Sequence, residues 1–379
     1  MARPWLRTLT ACITVALTAA CSVQSPQGSI PTSSGAPQPL AATTSTTATL
    51  GVEGTALTLD GKPWWPIGLN AYQLGTDWSI NAGCGAQVDL DTYFSRLPPH
   101  SLTRFNAFSS LAVNKYTGML DFTALDAVVR AAERHGQMLI VVLSSNEGSC
   151  EDDTFKEYGW YTDGWDTDRS PGTTLTFAQW LDTAVKRWAA SPAVAGWTAV
   201  GEPEPSLCTD DGCTWQARSC PPDAAQVLRQ FYDATGARIH ELDPGTTVFS
   251  GHAGGGQCGS AGDSFEYVSA SPGIDVLEYH FYESTDSLPG NEYDGLARRV
   301  QQARALDKPL VITEVGMEAG SCGSVGDREQ VLREAFGEMR DQGAAGVMFW
   351  SYVPDPRPGQ CTLDIGPSDP LMRLVGTTT

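Results

Sequence analysis

The sequence predicts an α/β fold, a (β/α)8 TIM barrel with an N-terminal β-hairpin and long loops on one face. Three observations carry this expectation. Strand-like and helix-like segments alternate through the body of the chain, and eight strand candidates recur, the number that closes such a barrel. Two of them, Gly-Trp-Thr-Ala-Val-Gly-Glu-Pro (196–203) and Pro-Leu-Val-Ile-Thr-Glu-Val-Gly (309–316), run into a glutamate, Glu202 and Glu314.

Residues 1–20 carry Arg3 and Arg7 ahead of an apolar stretch, the pattern of a signal peptide too short to span a bilayer stably. Leu-Thr-Ala-Ala-Cys (17–21) resembles a lipoprotein box, with Cys21 as the residue to be acylated. Cleavage nearby with release of a free protein is the alternative. Residues 21–48 are Ser, Thr, Pro, Gln, Gly and Ala with almost no charge, a composition that cannot bury enough surface to fold and reads as a disordered linker. The catalytic-type domain is expected over residues 49–379.

At its start, residues 52–63 alternate apolar and polar side chains around Asp60-Gly61, a strong hairpin signal. Such a hairpin would plug the barrel floor. The strand candidates are 65–70, 102–108, 138–145, 195–201, 246–251, 274–281, 309–314 and 345–350. Between them lie apolar stripes at helical spacing: Phe122, Leu125, Val128, Val129 and Ala132; Phe177, Trp180, Leu181, Ala184, Val185 and Trp188; and Val227, Leu228, Phe231, Ile239 and Leu242. Each stripe ends at a breaker, Gly136, Ser191-Pro192 or Asp243-Pro244.

Three long segments, 71–88, 146–172 and 203–222, follow strands one, three and four and therefore belong to the face where barrels do their chemistry. They hold Tyr72, Trp78, Tyr158, Trp160, Tyr161 and Trp165, aromatics suited to stacking on sugar rings or to packing the loops down. Trp160 and Trp165 are candidate ligand contacts.

With 44 acidic and 24 basic residues, a formal charge of −20 and no basic stripe, the chain is a poor partner for nucleic acid. Apart from Cys12 and Cys21, eight cysteines remain, an even set that in an exported chain reads as up to four disulfides of unspecified pairing. A zinc site at Cys208, Cys213 and Cys220 is the weaker reading, because no histidine follows at ligand spacing. Sheet interiors avoid carboxylates unless something pairs with them. Two strands ending in glutamate on one face therefore suggest a working carboxyl pair, the minimum for cleaving a glycosidic bond.

Six motifs in order sharpen this. Leu-Asp-Gly-Lys-Pro with Gly-Leu-Asn70-Ala-Tyr72, Thr-Arg104-Phe-Asn106-Ala-Phe, Gly-Glu202-Pro, His280-Phe-Tyr282, Thr-Glu314 and Phe-Trp350-Ser resemble the retaining (β/α)8-barrel clan A of glycoside hydrolases. Within it the chain is most similar to family 5, the cellulases and β-mannanases, over about residues 50–370. The resemblance implies Glu202 as acid/base and Glu314 as nucleophile, no metal or cofactor, and a polysaccharide or oligosaccharide as partner.

It also implies substrate-binding roles around Arg104, His280, Tyr282 and Trp350, with Asn70 in the same motif set. Arg104 beside Glu314 would favour that residue's charged form, leaving Glu202 as the carboxyl with the raised pKa. The clan usually has Asn before the acid/base, where this chain has Gly201. Asn106, Asn146 and His252 are the candidates to stand in for it. β-Mannan and β-glucan follow from the family, and a galactofuranan-type envelope glycan from the departure at Gly201. A binding lipoprotein on a decayed hydrolase fold is the reading from another class.

Overall fold

The computed structural model describes residues 48–170, 172–210, 212–283 and 286–376, within the compact unit Pro39–Thr379. The signal peptide, the Cys21 anchor and all but the end of the linker lie outside the described residues.

The chain enters as a three-stranded antiparallel meander, β1 Leu50–Glu53, β2 Ala56–Leu59 and β3 Lys62–Trp64. This is one strand more than the hairpin expected, because Gly54, at φ 56°, turns the chain back before Ala56. Asp60 and Gly61 make the second turn, both at positive φ, as a two-residue hairpin turn requires.

Eight parallel strands follow, one for each predicted segment. They are β4 Ile67–Asn70, β5 Leu102–Asn106, β6 Met138–Val142, β7 Val194–Thr198, β10 Thr247–Phe249, β11 Leu277–Tyr282, β12 Leu310–Gly316 and β14 Val347–Phe349. Two-residue ribbons supply the remaining strands, β8 Leu207–Cys208 with β9 Arg218–Ser219, and β13 Ala319–Gly320 with β15 Cys361–Thr362. The barrel order is β10-β7-β6-β5-β4-β14-β12-β11, and a parallel bridge from Phe249 to Val276 joins the two ends. Buried on both faces, the strands are apolar runs such as Met138-Leu-Ile-Val-Val142 rather than alternating ones.

The three apolar stripes are the inner faces of α2 Thr123–Arg134, α4 Phe177–Trp188 and α5 Ala224–Leu242; short α1 Leu90–Ser95 and α3 Trp165–Thr167 precede α2 and α4. Later in the chain come α6 Ser264–Ser269, α7 Leu296–Ala305 and α8 Val325–Gln342. Thr176 and Gln179 form a reciprocal capping box that starts α4. At the floor, Leu50 and Leu57 of the meander join one buried cluster with Leu102, Met138, Phe249, Val311 and Met348 of the barrel strands.

Four disulfides, Cys84–Cys150, Cys208–Cys213, Cys220–Cys258 and Cys322–Cys361, use all eight remaining cysteines. The zinc reading falls, since its three sulfurs belong to two disulfides. The bonds fit folding in an oxidising compartment. No helix among the described residues is long and apolar enough to cross a membrane.

Candidate active site

Side chains two apart on one strand share a face, so β11 presents Glu278, His280 and Tyr282 in series to the barrel interior. The register sets His280 beside Glu314 of β12, and Asn70 of β4 beside Arg104 of β5. Arg104 Nη1 donates to Glu314 Oε1 at 2.9 Å and to Asn70 Oδ1 at 3.1 Å, and Tyr282 donates to Glu314 Oε2 at 2.5 Å. Both oxygens of Glu314 are thereby oriented.

Glu202 arrives differently, from the turn after β7 and at φ 55°. Its N–H donates to Gly251 O at 2.8 Å. That approach depends on glycine, because a Cβ on Gly251, itself at φ 72°, would stand 2.0 Å from Val200 O. Asn146 Oδ1 secures the next residues by accepting from Glu204 N at 3.0 Å and from the Tyr161 hydroxyl.

His280 Nδ1 lies 2.6 Å from Glu202 Oε1 and 3.4 Å from Glu314 Oε2. One oxygen from each glutamate and a His280 nitrogen all fall within 4.8 Å of one another. That donor set would suit a small cation, but the Arg104 guanidinium already sits 2.9 Å from Glu314 and opposes a second positive charge.

The pair is electrostatically unequal. The Glu314 side chain is 8 % exposed and that of Glu202 41 %. Burial raises the Glu314 carboxyl above the usual range, with Glu202 adding to the rise and His280, Arg104 and Tyr282 opposing it. Burial pushes Glu202 the same way, but the hydrogen bond and charge of His280, then Arg104 and Arg218, hold it below its ordinary value. His280 is raised: burial opposes its charge, and the two glutamates outweigh burial. This reverses the order expected from Arg104 alone. The sequence did not reveal that His280 leans toward Glu202, nor how deeply Glu314 is buried.

These groups open into a cleft of about 760 Å³ lined by Arg104, Asn106, Glu202, Tyr282, Glu314 and Trp350, with Ser144, Ser145, Glu147, Glu318 and Arg357 among its walls. Trp350 stacks on Tyr72 at 5.6 Å between ring centroids. Five expected ligand contacts are corrected. Trp160 and Trp165 pack on Phe231, and Trp160 also on Phe177, so they seat their loop on the helices rather than facing the cleft. His252 is buried between Tyr232 and Phe265 and, with no hydrogen-bond partner among the described residues, is held neutral by burial, its pKa pushed down to about 3. Asn146 is spent on the Glu204 turn. Asn70 lies behind Arg104, donating to Thr313 O and Phe349 O.

Sequence reasoning also missed Glu278. Fully buried, it accepts from Gly251 N at 2.7 Å and Thr313 Oγ1 at 2.6 Å, and lies 3.7 Å from Arg104 Nε. Its signal was a carboxylate two residues before His280 in an otherwise apolar strand.

No family model matches the chain. Its sequence is 24 % identical over 337 residues to a probable mannan endo-1,4-beta-mannosidase F of Neosartorya fischeri, covering 79 % of this chain and 67 % of that one. The fold matches the endo-1,4-beta-mannanase of Rhizomucor miehei with a TM-score of 0.62 at 18 % identity, covering 86 % of this chain and 96 % of that one. A glycoside hydrolase family 5 mannosidase of the same organism matches with a TM-score of 0.55 at 14 % identity, covering 86 % and 95 %. The class these findings define is a (β/α)8-barrel glycosyl hydrolase. In sequence and fold the chain resembles proteins named as mannan endo-1,4-beta-mannosidases and a family 5 mannosidase.

Proposed function

We propose that this chain is an exported, retaining β-glycanase whose first substrate class is β-mannan, with Glu314 as nucleophile and Glu202 as acid/base. The observation that carries the reading is the approach of the two carboxylates to within 4.8 Å. That separation suits direct attack on the sugar, whereas inverting enzymes keep their carboxyl groups roughly 6.5–9.5 Å apart to admit a water. The choice of mannan is supported by what the sequence relatives are named for.

In the first step Glu314 attacks the anomeric carbon, the bond to the leaving oxygen breaks, and Glu202 gives that oxygen its proton. In the second, Glu202 takes a proton from water, the water oxygen bonds to the anomeric carbon, and the bond to Glu314 breaks. Arg104 and Tyr282 hold Glu314 on its two oxygens, ready for attack. Glu202 is the carboxyl still open to solvent; substrate filling the cleft strips that water away, and burial favours its protonated form. His280 Nδ1, 2.6 Å away, can hand over the proton. Trp350 offers a ring face to the reacting sugar.

The test is hydrolysis of a panel of β-mannan, β-glucan and galactofuranan by the wild type and by Glu314→Gln. Expected are turnover of mannan, a first product that keeps the β configuration by NMR, and loss of turnover in the variant. Galactofuranan as the preferred substrate would replace the mannan assignment. Tight binding without turnover, unchanged in Glu202→Ala, would favour the binding-lipoprotein reading. Acylation at Cys21 completes the proposal, supported by the Leu-Thr-Ala-Ala-Cys segment; labelled fatty acid should enter the wild type and not Cys21→Ser.

A further inference from the structure

The Arg104 guanidinium is buried, yet its donors are unequally used. Nη1 serves both Glu314 and Asn70, and Nε faces Glu278 at 3.7 Å, beyond hydrogen-bond reach. Nη2 has no hydrogen-bond partner among the described residues and is not one of the fully buried unpaired atoms. The neighbour that leaves it open is Gly201. A Cβ there would stand 3.4 Å from Nη2, 3.7 Å from Val142 and 3.8 Å from Ser144 O, close enough to cover the nitrogen and loose enough to be accommodated. Arg104 and Gly201 both line the cleft.

We propose that Gly201 is a specificity-determining position, because it exposes Arg104 Nη2 as a donor to the hydroxyl on the ring carbon next to the anomeric carbon. This rests on the glycanase reading above. Nη1 is bonded to the oxygen of Glu314, and Nη2 is the other end of the same planar group, displaced toward the strand that leads to Glu202. A donor in that position lies beside a sugar carbon attacked by Glu314 and protonated across by Glu202. Charge selects the acceptor. Glu278 and Glu314 already answer the single cation, so a neutral hydroxyl suits the site and a further anion does not. Hydrogen bonds from a charged donor are the stronger kind, and a site built to bond a hydroxyl discriminates steeply against a substrate that lacks it.

The experiment uses two aryl β-biosides, the mannobioside and the cellobioside, each paired with its own analogue lacking the 2-hydroxyl on the aryl-bearing ring. Wild type, Gly201→Ala and Asn106→Ala are compared by the ratio of kcat/KM on the better hydroxylated substrate to that on its deoxy analogue. The comparison between proteins cancels the deoxy sugar's intrinsic reactivity. Gly201→Ala is expected to lower the ratio by about tenfold or more while unfolding at the wild-type temperature, and Asn106→Ala to lower it less. An unchanged ratio in Gly201→Ala, or the larger fall in Asn106→Ala, overturns the inference and leaves the glycanase reading standing. A wild type inactive on the biosides and on every polysaccharide removes the glycanase reading itself.

Discussion

On the floor side of the barrel, Leu102, Met138, Phe249, Val311 and Met348 close on Leu50 and Leu57 of the meander; on the cleft side Arg104, His280, Glu314 and the nearby Glu202, with Glu278 beside Arg104, gather in a few ångströms. The same barrel thus carries an apolar plug on one side and a charged cluster on the other. The difference teaches where the protein invests its stability and where it gives some up. The floor gains by removing apolar surface from water. The cleft keeps buried charges that hold only because each has partners, and Glu314 sits there against its own burial.

The strongest challenge to this contrast is Glu314→Gln, which should cost at least about 10⁴-fold in kcat, as loss of a nucleophile does. A barrel whose charged end were merely structural would lose far less in a steady-state assay. Glu202→Gln should cost about 10²–10⁴-fold, the range for a general acid, and less on substrates with good leaving groups that need no proton. Equal losses across leaving groups would remove Glu202 from that role.

At the floor, Leu57→Ala should destabilise by about 2–5 kcal/mol with kcat/KM unchanged. Denaturant melts beside kinetics read both numbers, and a large activity loss would mean the two ends are not independent.

The smallest effect concerns pH. A carboxyl whose folded pKa is raised favours the fold below its unfolded pKa, and that advantage is lost as pH rises through the folded value. Wild type therefore bears the cost of ionised Glu314 at neutral pH, and Glu314→Gln does not. The variant should melt about 2 °C higher at pH 7, the gain fading as acid neutralises the wild-type carboxyl. A variant that melts lower at neutral pH would show that Arg104 and Tyr282 outweigh burial.

Much of this was legible in the linear chain. Every one of the eight strands overlaps a predicted segment, with β11 and β12 running one and two residues beyond theirs, because a strand buried on both faces must be a continuous apolar run and its boundaries are marked by Gly, Pro and Asp. The glutamates stood out because a carboxylate ending such a run is costly. The same logic would have found Glu278, two residues before His280. Trp160, Trp165, Asn146 and His252 were misjudged for one reason: composition places an aromatic or an amide in a loop, but which way it faces depends on what packs beneath. Phe231 beneath the two tryptophans and Tyr232 beside His252 come from a helix more than sixty residues further on in the first case, and twenty residues back in the second.

Sequence by itself determined the barrel, its floor and the two carboxyl-bearing strands, because period, breakers and the penalty on buried charge act locally along the chain. Only the tertiary structure decided the disulfide pairing, the lean of His280 toward Glu202, the order of the two carboxyl pKa values and the opening of Arg104 beside Gly201. Each of these is set by distances between side chains from different strands. A few ångströms decide whether a charge is answered, and no local pattern encodes them.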